Sequence, residues 1–268
     1  MKTVKTLAAD KSIQINFPGG FILRQKPIAE IDLSSEPALL FNVALNAVSE
    51  MMEASAAIAN DPDLSAGGKS RKRDPMVIAA VHQIARCYTM IGNYSNHLDT
   101  RYAAMVSVPQ LQPNDAVGAL QDMECRQYWA SLGIAAQSRL VEQMDAGPEL
   151  ARLEAALLRS PLAVADELLS VLRSNHDRGQ RALNPSESVA ISAGKATVDW
   201  SYRGLSQLVA ALNGGLEPEW TRGRVLETIL NCANPVVQAG YAAWGFTDVQ
   251  VSEHRRQSEY RATAGLTA

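Results

Sequence analysis

From Ser35 to about Trp244, apolar residues return every three or four positions, the spacing of helices that each bury one side. The clearest stretch carries Leu40, Val43, Ala44, Val48, Met51 and Met52, with Ser35 placed to cap it and Asn60-Asp61-Pro62 to end it. Hydrophobic residues make up 47% of the chain, but aromatic ones only 6%. The apolar content is therefore small and aliphatic, which disfavours a β-sandwich, whose strands select β-branched and aromatic side chains. It is also too high for a disordered chain. At 268 residues there is material for one large domain or two small ones. The expected fold is all-α, with a single body of about seven helices over residues 35–245.

The second helix is expected to start at Asp74-Pro75, a cap followed by proline in the first turn, and to reach about Met105. A polar loop with Gly67-Gly68 and a basic run precedes it. Asn114 or Asp115 opens a third helix running to Asp145. Two shorter helices, 149–159 and 161–174, lead into a polar connection over 175–185. Ser186 or Ser188 caps a long helix reaching Leu212, where Ala190, Ala193, Gly194, Ala196 and Thr197 offer a close helix–helix seam. Pro218 starts the next helix, and Asn234-Pro235 divides it from a short one ending near Trp244.

Both ends differ from this body. Within residues 1–34, Ser12–Phe17 alternates as SIQINF, Pro18-Gly19-Gly20 turns the chain, and Phe21-Ile22-Leu23 resumes. That pattern predicts a small hairpin or extended arm. A lone hairpin is marginal in water, so the arm must lie on its own body or on a neighbouring chain. Residues 246–268 read as a polar, loose tail. Asp10, Lys11, Gln14 and Asn16 interrupt any signal-peptide core, and no 18-residue apolar window exists to span a membrane. Three scattered cysteines, at 87, 125 and 232, fit a reducing compartment. The expected location is the cytoplasm, or a particle assembled there.

The segment from Asp63 to Gly68-Lys69-Ser70 falls one glycine short of a phosphate-binding loop, and it lacks the preceding strand. His82 and His97 are about 22 Å apart on one helix, and neither a Glu-x-x-His pair nor a Cys-x-x-Cys pair occurs, so no metal and no cofactor are expected. A polar stripe on the second helix joins Arg86, Thr89, Asn93 and His97 on one face, with Tyr88, Tyr94 and Tyr102 nearby. Facing a cleft, His97 would act as a base while Arg86 held an anion, with Asn93 between them. Lys69, Arg71, Lys72 and Arg73 form the densest positive run in a chain of net charge −3, suited to phosphates or to an acidic partner.

No catalytic or cofactor signature accompanies an arm that cannot stand alone. The expected function is therefore structural: a subunit of a homo-oligomeric ring or larger particle, held by the N-terminal arm and C-terminal tail. A phage virion component, at a head–tail junction or inside the particle, is one such setting by architectural analogy. The alternative is a cofactor-free helical enzyme or small-ligand binder using Arg86, Asn93 and His97.

Overall fold

A computed structural model describes residues 4–7, 13–17, 22–25, 31–144, 150–216 and 220–263. The fold is all-α with a small N-terminal sheet. Strands β1 (Val4–Leu7), β2 (Ile13–Asn16) and β3 (Ile22–Gln25) form an antiparallel meander in which Ile15 pairs with Lys5 on one side and Leu23 on the other. The hairpin expected from the sequence is β2–β3; β1 adds a third strand.

Ten α-helices follow among the described residues: α1 (Glu36–Ala59), α2 (Ala66–Met105), α3 (Ala116–Ser131), α4 (Ile134–Gln143), α5 (Ala151–Arg159), α6 (Asp166–Leu183), α7 (Pro185–Gly215), α8 (Arg222–Leu230), α9 (Pro235–Gln238) and α10 (Asp248–Thr263). They fall into two compact units. The first comprises Met1–His97 with Ala193–Ala268, and the second comprises Leu98–Ser192.

In the first unit the sheet lies on its own chain. Ile15, Phe17, Leu23 and Gln25 are buried, and the Gln25 amide donates to the Trp200 carbonyl on α7. Phe41 of α1 meets Trp200 edge-on at 5.1 Å. A Cβ at Gly204 would overlap the Phe41 ring, so glycine is what lets α1 approach α7. Likewise a Cβ at Gly240, in the short 3-10 turn Ala239–Trp244, would overlap the Ala85 backbone of α2. Around these contacts Val81, Ile84, Ile91, Leu205, Leu208 and Leu212 are almost entirely buried. In the second unit, Trp129, Val141, Leu153, Leu157 and Leu172 make a separate core from α3, α4, α5 and α6.

Four expectations need correction. The basic run is helical, because α2 begins eight residues before Asp74. Ser65 is the cap, with its Oγ accepting from the Gly68 amide at 3.2 Å and its carbonyl from the Lys69 amide at 2.9 Å. Pro75 consequently lies inside the helix. The third helix is two, broken at Leu132-Gly133, where the Trp129 carbonyl accepts from the Leu132 amide at 3.1 Å and the Gln137 amide side chain at 3.0 Å. Residues 175–183 continue α6 instead of forming a connection. The tail is helical too. Thr247 and Gln250 exchange side chain-to-backbone bonds of 3.0 and 3.4 Å, a capping box that starts α10.

Candidate functional site

Arg86, Asn93 and His97 are all exposed on α2, and the three clefts described below are lined by other residues. Thr89 turns its hydroxyl back to the Ala85 carbonyl at 3.3 Å. Tyr88 packs instead against Tyr202 of α7, with ring centroids 4.8 Å apart. Of the basic run, Lys69 donates to the Ala59 carbonyl at 2.7 Å and Arg71 to the Gly67 carbonyl at 3.1 Å, while Lys72 is exposed and Arg73 half-buried. The helix thus turns two of the four cations onto carbonyls of their own chain.

A polar constellation lies in the second unit, where Tyr102 joins residues of α5 and α6 that the sequence reading does not single out. At the end of α2, the Tyr102 hydroxyl donates to Asp177 of α6 and accepts from Arg181 at 2.7 Å. Arg181, one turn beyond Asp177, pairs with its carboxylate at 2.9 Å and lies over the Tyr102 ring at 5.3 Å. The Tyr102 oxygen first, and Asp177 second, push the guanidinium further toward its charged form. Beside them, His176 presents Nε2 to the Val106 carbonyl at 3.1 Å and Nδ1 to the Glu154 carboxylate of α5 at 3.4 Å. These groups edge a cleft of about 320 Å³ lined by Tyr102, Val106, Val108, Leu158, Arg173, His176 and Asp177. The spacing of Asp177 and Arg181 is a helical pair readable from sequence. Glu154 and Tyr102 arrive only through the tertiary fold.

Deeper in the same unit, the carboxylate of Asp122 on α3 is almost fully buried between Arg159 of α5 and Arg126, the latter at 4.0 Å. Arg159 also donates to the Pro109 carbonyl at 2.8 Å. This cluster ties α3, α5 and the segment after α2 together; it is a structural clamp.

Two clefts belong to the first unit. One, of about 460 Å³, is lined by Thr221, Arg224, Glu227, His254, Gln257 and Ser258, among others. Its Arg224 is already held by Asp74 at 2.7 Å and stacked on Trp220 at 4.2 Å. Although Glu227, His254 and Ser258 share the cleft, no hydrogen bond joins them, so the linked proton relay that activates a serine is missing. The other, about 270 Å³, is small and apolar, with Met51 and Met76 on its walls and Glu50 at its edge. Among the described residues no group of three or more His, Cys, Asp or Glu could hold a metal ion, and no helix is long and apolar enough to cross a membrane.

Helix α3 carries apolar residues outside as well as inside. Gly118, Asp122 and Trp129 face inward and are buried. Val117, Leu120, Met123 and Tyr128 are nevertheless 67, 52, 44 and 53% exposed. At 100° per residue these four fall within one outward sector, interspersed with Glu124 and Gln127. No family model, curated protein or solved structure matches the chain.

Proposed function

We propose that this chain is a structural subunit that assembles with copies of itself, using the outward face of α3 as a contact. The observation that carries this reading is the cluster Val117, Leu120, Met123 and Tyr128 on a helix whose other side is already buried. A surface helix ordinarily presents polar residues to water, and contiguous exposed apolar side chains mark contact sites. The C-terminal helix exposes Val249 and Tyr260, at 74 and 71%, on a side they share with Glu253 and Arg256. A ring or larger particle, including a virion, is the setting we infer for such a subunit.

The N-terminal sheet contributes less to this reading than its sequence implied, because Ile15, Phe17 and Leu23 are buried on its own chain. The polar stripe Arg86, Asn93 and His97 is exposed and lines none of the three clefts described above. For the basic run, only Arg71 and Lys72 remain well exposed as a contact for phosphates or an acidic partner.

The test is the native mass of the full chain at micromolar concentration. The wild type is expected to form a discrete oligomer, and Leu120→Asp with Met123→Asp to dissociate it while the helical circular dichroism is unchanged. A wild-type monomer, or an oligomer indifferent to both substitutions, rejects the proposal.

A further inference from the structure

We propose that the cleft of the second unit binds a small amphipathic carboxylate: a molecule with one anionic head and an apolar body. Its polar floor is held by contacts within the unit. The two oxygens of Asp177 are taken by Tyr102 and Arg181, and His176 faces the Val106 carbonyl with Nε2 and the Glu154 carboxylate with Nδ1. None of these groups has to rearrange to admit a ligand, so the site is already ordered before binding. The exception is Arg173, which lines the cleft, is exposed, and engages no other described side chain. Its guanidinium brings one positive charge and a planar donor fork matched to a carboxylate.

Opposite in character is the wall formed by Val106 and Val108, after α2, and Leu158 of α5. A cleft of about 320 Å³ is at the lower end of the range for small-molecule sites. A dianion would leave one charge uncompensated beside Asp177, and a cation would meet Arg173 head-on. A neutral apolar molecule would fill the wall but leave the fork unused. One carboxylate on a short hydrocarbon satisfies both halves. This inference stands apart from the assembly reading, since α3's outward residues take no part in the cleft.

Octanoate is the probe, with octan-1-ol and octylammonium as controls, titrated into the full chain by calorimetry below micellar concentrations. Saturable octanoate binding is expected, at least tenfold tighter than octanol, with no binding of octylammonium. Arg173→Gln, an exposed change that leaves the helix intact, is expected to bring octanoate down to the octanol level. Leu158→Trp fills the apolar wall and should abolish both. Leu120→Asp with Met123→Asp should bind octanoate as the wild type does, which separates the cleft from the α3 face. Absence of saturable octanoate binding to the wild type overturns the proposal, as does octanoate binding unaltered by Arg173→Gln.

Discussion

Gly240 shows how much a single hydrogen atom can decide. The 3-10 turn that carries it presses on the α2 backbone at Ala85, where a methyl group has no room. The colliding atoms are main chain and cannot swing aside. Gly240→Ala is therefore expected to cost about 1–3 kcal/mol, as overpacking does in tight cores, read as a lowered midpoint in urea with the slope unchanged. Tyr202 makes a different kind of prediction. Burial first, and the neighbouring Tyr88 second, push its phenol from 10.0 up to about 12. The folded state thus holds this proton more firmly than the unfolded chain does. Its contribution is complete below pH 10 and fades as the pH rises toward 12. The fall in stability across that interval should be shallower in Tyr202→Phe than in the wild type. Neither site announced itself beforehand: a lone glycine and a lone tyrosine acquire meaning only from what the fold sets against them.

At the level of the element, most helices were legible because burial imposes the period of their apolar residues. Helix α1 follows Ser35 and ends at Asn60 as its pattern dictates. Three of the four misses have a common cause. Ala66–Asp74, the end of α6 and all of α10 are helical but carry few buried apolar residues, so periodicity is blind to them. Their evidence was in the caps instead: Ser65 for α2, and Thr247 with Gln250 for α10. At α2 that signal competed with Asp74-Pro75, a stronger start signal in sequence and a false one here. Pro75 still leaves its mark, since it offers no amide to the Arg71 carbonyl one turn back. Amide hydrogen exchange should accordingly be faster over residues 70–74 than over 80–91, although one helix contains both; equal protection would contradict this. The candidate cleft was legible only in fragments, through the Asp177 and Arg181 pair, because Tyr102 on α2 and Glu154 and Leu158 on α5 meet α6 only through the tertiary fold.

For the whole molecule, the question is which surfaces meet neighbours. A sequence view favours the arm, because a hairpin needs something to rest on. The structure supplies that support within the subunit, through Ile15, Phe17 and Leu23, and leaves Ile22 outward at 55% exposure. The two candidate contacts separate cleanly by substitution. Ile22→Asp should leave the native mass as it is, whereas the paired aspartates on α3 should reduce it; the reverse result would return the contact to the arm. Hydropathy along the sequence could not rank these surfaces, since a residue such as Leu120 carries the same apolar signal whether its side chain ends inside or outside.

The second unit is interpolated between two halves of the first, and its margins are fastened to one another. Arg101 of α2 donates twice to the Glu187 carboxylate of α7, at 2.9 and 2.8 Å. Both residues belong to the inserted stretch, close to where it begins and closes. An excursion drawn together at its neck, with a hydrophobic core of its own, behaves as a cartridge whose sequence can drift as a block. The Arg101–Glu187 pair is the clasp of that cartridge, closing its two ends on each other.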